Sequence, residues 1–199
     1  MKNWLIPVIV VVVLGIIVYS LTVGFNNTAI QKQEEARLAW SNVESSYQRR
    51  NDLITNLVRT VQGAADFERG TLTDVIEARA RATQVTVDPT NITPQQLEQF
   101  QQAQGEVSGA LSRLLVTVER YPELRATQNF QQLQSQLEGT ENRINVARDR
   151  YNASVTDYNT YIRTFPNSMF AGMFGFERMA RYEAEAGSEY APEVEFDFQ

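Results

Sequence analysis

The side chains that most often do chemistry at neutral pH are missing: the 199-residue chain has no His and no Cys. Without Cys there is no thiolate nucleophile, disulfide or thiolate zinc site, and without His the usual general base is gone. What remains is carboxylates, arginines and amides. Arg49, Arg50 and Asp52 stand close together, with Arg59 and Asp66 following at seven-residue steps from Asp52. A phosphate site built on them would need a Gly-rich loop or a helix N-terminus beside it, and the sequence offers neither. Such spacing reads better as ion pairs lacing a solvated helix face. Glu34, Glu35 and Glu141 sit in helical stretches without the Glu-x-x-His partner that di-metal bundles use, so no metal site is expected. Asn145, Asn152 and Asn159 recur every seven residues, a polar line along one helix. It can serve a ligand or channel surface, or it can fix register between packed helices; the second reading is favoured. No catalytic, cofactor-binding or metal-ligating residue can be assigned, and the expectation is a non-enzymatic protein with no cofactor.

The elements that carry these residues begin with an uncharged run from Trp4 to Val23. About 20 residues at about 1.5 Å each span about 30 Å, the thickness of a bilayer's hydrocarbon core. Trp4, Leu5, Ile6, Val8, Ile9, Leu14, Ile16, Ile17, Val18, Tyr19, Leu21 and Val23 are the candidate anchor residues. Pro7 falls in the first turn, where a missing N–H costs least, and Trp4 and Tyr19 lie near the ends, where interfacial rings are favoured. A cleaved signal peptide fits less well: the run is long, and Ser20-Leu21-Thr22 is a poor cleavage site. Lys2 flanks the run closely, whereas the first bases on the far side are Lys32 and Arg37. This favours a short N-terminus inside a bacterial cell and the rest of the chain outside, though two charges face two.

Beyond the anchor, apolar residues recur in threes and fours. Ala36, Trp40, Val43, Tyr47, Ile54, Leu57 and Val61 form one coiled-coil-like seam, with Arg50 in the missing place. The helix should end near Gly63 to Gly70, and Thr71-Leu72-Thr73-Asp74 reads as the next N-cap. Asp88-Pro89 marks a loop, and Thr93-Pro94 starts a third helix that ends at Tyr121-Pro122. The last long helix is expected from about Glu123 to Phe165, stopped by Pro166. Short connections make neighbours antiparallel. The predicted fold is all-α: an N-terminal transmembrane helix, then an up-and-down antiparallel four-helix bundle. The parts are 1–28 (N-terminus and anchor), 29–165 (bundle), 166–182 (a Met/Phe-rich segment) and 183–199 (an acidic tail).

The Met/Phe-rich segment is the least ordinary. Met169, Phe170, Met173, Phe174 and Phe176 follow the last bundle helix among small residues, as a candidate interface. Either they fold back as a cap on the core or they meet lipid or a partner. The tail carries Glu183, Glu185, Glu189, Glu193, Glu195 and Asp197 with no base, which accounts for the net charge of −6; the other acids balance the 18 Lys and Arg. It is expected to be mobile and dispensable for folding. A balanced body with an acidic tail argues against nucleic acid as a partner, and none is expected.

Several stretches together resemble the LemA family: Ala39-Trp40-Ser41-Asn42-Val43, Gln48 to Ile54, Asn56-Leu57-Val58, Glu77 to Ala80, Glu141 to Ile144, Ala147-Arg148, Arg150-Tyr151-Asn152, Asp157-Tyr158-Asn159, Phe165-Pro166 and Gly175-Phe176. Thr55 departs from the pattern, which often has Pro there. The resemblance implies a bacterial membrane protein with a four-helix bundle and no established enzymatic activity. The expected partners are the lipid bilayer, further copies of the chain and a possible membrane protein partner. The expected role is a structural or scaffolding element acting through self-association, the alternative being a regulatory or sensory adaptor that binds a partner membrane protein or a ligand.

Overall fold

The computed structural model of the chain describes residues 4–63 and 67–182, and the acidic tail lies outside the described residues. Among them there is no strand. Six helices follow one another: α1 (Leu5–Gln62), α2 (Arg69–Gln84), α3 (Pro94–Val118), α4 (Pro122–Arg125), α5 (Gln128–Arg163) and α6 (Asn167–Phe174).

α1 is one unbroken helix about 87 Å long at about 1.5 Å per residue. Its first five turns bury nothing, and one window of them is apolar enough to cross a membrane. From Phe25 onward the same helix buries a stripe: Phe25, Ala29, Ala36, Trp40, Val43, Tyr47, Ile54, Leu57 and Val61. The helix thus changes from apolar all round and unpacked, a candidate membrane span, to apolar along one stripe packed on neighbours. No helix end intervenes, so residues 28 and 29 are consecutive members of α1.

Long-range contacts fix the directions. Phe25 stacks on Tyr161, Lys32 pairs with Asp157, and Arg50 reaches Glu141, so α5 runs antiparallel to α1. Glu68 with Arg120 and Arg81 with Glu106 set α2 antiparallel to α3. Trp40 meets Phe100 while Arg50 meets Gln104 and Ser108, so α3 runs with α1. Two buried clusters fill the interior. One joins α1, α3, α5 and α6 around Trp40 and Tyr151; the other joins α1, α2, α3, α4 and α5 around Leu57, Val75 and Leu114.

Two element boundaries differ from those read in the sequence. α2 starts at Arg69, not at Thr71–Asp74, and its N-cap Glu68 makes no side-chain cap. Arg120 instead holds Glu68 by an ion pair, which spacing cannot reveal. The last helix does not run unbroken from Glu123 to Phe165. Pro122 opens the single turn α4, and α5 restarts behind Thr127, whose hydroxyl accepts the Phe130 N–H and donates to the Leu124 carbonyl. Thr at an N-cap competes with helix continuation for those groups, and the apolar phase of Phe130 and Leu133 hid the break. The start of α3 is as expected: Pro94 is its first residue, and Thr93 and Gln96 close a reciprocal capping box.

Candidate functional site

Three places gather the residues of interest. The first is the base of the molecule, where α6 crosses the start of the packed part of α1. Phe25 is surrounded by rings: Phe170 and Phe176 at 5.6 Å between centroids, Tyr161 at 5.7 Å and Phe174 at 6.3 Å. α6 turns Ala171 inward and ends at Gly175, whose φ of 71° is the left-handed conformation that closes helices. The five residues singled out therefore divide. Phe170 and Phe176 pack against the core, and Phe174 is half in contact; Met169 and Met173 point away, 67% and 66% exposed. The segment caps the core on one side and leaves an apolar face on the other.

The second place is the chain from Gly175 to Tyr182, which runs without helix along α5 as a strap. Here the asparagine repeat finds its use. Asn159 donates to the Met179 carbonyl and accepts the Met179 N–H, at 2.9 and 3.0 Å. Asn152 does the same for Tyr182, at 3.1 and 2.8 Å. Tyr151 and Tyr158 hydroxyls donate to the carbonyls of Ala180 and Glu177. A heptad advances about 10.5 Å along a helix, and three extended residues cover about 10 Å. That match lets successive rungs meet backbone groups three residues apart. The amides thus serve neither a channel nor helix-to-helix register, as the sequence suggested, but satisfy an irregular backbone that would otherwise be left unpaired. Tyr182 inserts beside Trp40, stacked at 6.0 Å, under the Arg148 guanidinium at 4.6 Å. Burial pushes the phenols of Tyr151, Tyr158 and Tyr182 above the ordinary tyrosine range. Asn145, one heptad on, is exposed.

The third place is a groove of about 1070 Å³ between α3 and α5, floored by Tyr47 and Arg50 of α1 and edged by Arg148, Arg181, Glu98 and Glu141. Arg50 is 2% exposed. Its Nη2 donates to Gln104 Oε1 at 2.6 Å and to the Gln104 carbonyl at 3.3 Å; its Nη1 donates to Ser108 at 2.9 Å and reaches Glu141 at 3.5 Å. Its plane lies over the Tyr47 ring at 4.9 Å. The seam position that looked like a gap in the sequence is filled by a charge tying three helices together. Arg49 points instead to Gln136, and Asp52 and Arg59 are exposed, so the Arg/Asp group is dispersed rather than assembled; Asp66 lies outside the described residues. Glu34 pairs with Arg37, and Glu35 accepts from Gln31.

The candidate anchor residues stand apart from all three places. Trp4, Leu5, Ile6, Val8, Ile9, Leu14, Ile16, Ile17, Val18, Tyr19, Leu21 and Val23 are all exposed, from the N-cap Trp4 along the start of α1.

Comparison with known proteins shows which sequences the chain is similar to. The sequence profile of the LemA family matches residues 39–196. Protein LemA of Metamycoplasma hominis is 24% identical over 168 residues, covering 84% of this chain and 73% of that protein. Magnetosome proteins MamQ 2 and MamQ 1 of Paramagnetospirillum magneticum are each 24% identical over 192 residues, covering 87% of this chain and 71% of theirs.

Proposed function

This chain belongs to the LemA family, and on that premise we propose that it is a single-pass, non-enzymatic membrane protein whose up-and-down four-helix bundle acts as a scaffold through self-association. The observation that carries the reading is the continuity of α1, apolar on every side before Phe25 and one-sided after it. A helix of that kind transmits position directly from bilayer to bundle, with no linker to absorb it. A second observation supports a structural role over a chemical one. The polar side chains with the most distinctive spacing are consumed by packing: Arg50 ties α1 to α3 and α5, and Asn152 and Asn159 hold the strap. The bilayer confines copies to a plane, which raises their effective concentration for weak lateral contacts. The bundle is assigned to the outer side of a bacterial membrane from the position of Lys2.

The alternative is a regulatory or sensory adaptor, and the groove between α3 and α5 favours it, since ligand sites in bundles lie between helices. Mass measurement of the full chain purified in mild detergent separates the two. A homo-oligomer is expected; a monomer that co-purifies stoichiometrically with a different membrane protein would replace scaffold by adaptor.

A further inference from the structure

Large apolar side chains exposed on the packed part of the protein mostly stand singly: Ile30, Leu38, Ile76, Val116 and Val146. Scattered residues of that kind are ordinary. One stretch differs. Phe165 is 82% exposed, Met169 67% and Met173 66%, with Phe174 partly exposed beside them, all within ten residues. A cluster of this kind marks a contact surface.

Its height on the molecule identifies the contact. Phe25 lies two residues past Val23, about 3 Å beyond the end of the apolar run. The Tyr161 ring stacks on Phe25 at 5.7 Å, and α5 runs antiparallel to α1. α5 therefore ends, at Arg163, on the apolar-run side of Tyr161, and Phe165 follows two residues after that end. α6 then crosses at the same level, because its Phe170 and Phe174 rings both meet Phe25. The inward side of α6 is spent on that contact, leaving Met169 and Met173 on the opposite side.

We infer that Phe165 and the outer face of α6 form a second, interfacial membrane contact, seated at the headgroup–acyl boundary beside the α1 span. This rests on the reading of α1 as a bilayer-spanning anchor and goes beyond it. Lipid is the occupant because the patch continues the surface of the span at the level where that surface leaves the hydrocarbon. It is also small: four side chains fall well short of the ~800 Å² per partner that a stable protein interface buries. Arg163, exposed between Tyr161 and Phe165 on the last turn of α5, adds a cation at headgroup height. With α1 alone the bundle could tilt and swivel about one helix; with α6 seated as well, its orientation to the membrane plane is fixed.

The absence of native Cys makes the test direct. The full chain is reconstituted in vesicles of phosphatidylethanolamine and phosphatidylglycerol, with an environment-sensitive NBD probe on a single introduced cysteine: Met173→Cys, Val116→Cys or Val12→Cys. Doxyl-labelled lipids serve as quenchers. The Met173→Cys probe is expected to emit to the blue of the Val116→Cys probe and to be quenched several-fold more strongly by shallow doxyl lipid. A Met173→Cys probe that is as water-like and as weakly quenched as the one at Val116→Cys overturns the inference. So does a blue shift that lipid quenchers do not touch and that grows with protein-to-lipid ratio, because then a second copy covers the face. The Val12→Cys probe separates the two levels of the account. If it is quenched by deep doxyl lipid while Met173→Cys is not, the α6 contact alone fails; if it is unquenched, the anchor fails and the α6 inference with it.

Discussion

Replacing Asn152 by Ala removes two hydrogen bonds at once, the amide donor to the Tyr182 carbonyl and the acceptor for the Tyr182 N–H. Each bond contributes about 0.5–1.5 kcal/mol net, so the strap end should be loosened by about 1–3 kcal/mol, or about 5- to 150-fold in its local opening equilibrium. The helix itself loses little, because Asn152 is on the flank of α5 and Ala is the better helix former. Amide hydrogen exchange reads the effect at the bonded atom: the Tyr182 N–H should exchange faster by that factor. The Met179 N–H, held separately by Asn159, should change much less. Asn152→Asp keeps an acceptor for the Tyr182 N–H but sets an anionic oxygen against the Tyr182 carbonyl in place of the donor, so it should also open the strap end relative to wild type. If Asn152→Ala leaves Tyr182 exchange unchanged, the bidentate clamp does not hold the strap, and the explanation of the asparagine repeat is wrong.

Arg50→Ala should lower the unfolding free energy by about 2–5 kcal/mol in urea titration of the detergent-solubilised chain, as other large-to-small changes at buried sites do, while Arg50→Met should recover most of the loss by filling the same space. If Met recovers nothing, the guanidinium's bonds to Gln104 and Ser108 outweigh its packing on Tyr47. Alkaline titration gives a further outcome. The phenols of Tyr151, Tyr158 and Tyr182 are raised in the folded state by burial, so the folded protein holds those protons more tightly than the unfolded chain. Their stabilisation is complete below the unfolded value near 10 and is lost as pH rises through the folded values. Absorbance at 295 nm should show these three ionising only above the ordinary tyrosine range, together with loss of the strap; their ionisation within that range with helix content intact would contradict it.

The parts of this architecture written in local spacing were legible. The seam of α1, the uncharged run before it and the start of α3 at Thr93-Pro94 each depend on residues a few positions apart, and each stands in the structure where the sequence puts it. What was not legible depends on partners far along the chain. Arg50 was visible as an interruption of the seam, but Gln104, Ser108 and Glu141 lie 54 to 91 residues away. The asparagine repeat was visible as a repeat, yet its partners lie in a strap without helical periodicity, 20 and 30 residues downstream. The Thr127 restart of α5 could have been found, since Thr after a Pro-started turn is an N-cap signal, but the apolar phase continuing through Phe130 outweighed it. The division of the Met/Phe segment into inward rings and outward Met residues needed the position of Phe25, which no pattern within 165–176 contains.

The claim on which the rest depends is that α1 crosses a bilayer and carries the bundle directly on one side of it. A membrane-impermeant maleimide applied to intact bacterial cells measures this with two single-cysteine variants of the full chain. Ser45→Cys, exposed on the packed part of α1, should be labelled from outside without permeabilisation. Val12→Cys, in the middle of the apolar run, should stay unlabelled until denaturing detergent is added. Labelling of Ser45→Cys only after permeabilisation would reverse the assigned side while leaving the span intact; labelling of Val12→Cys as readily as Ser45→Cys in a detergent-free sample would contradict the membrane-spanning role of α1 itself.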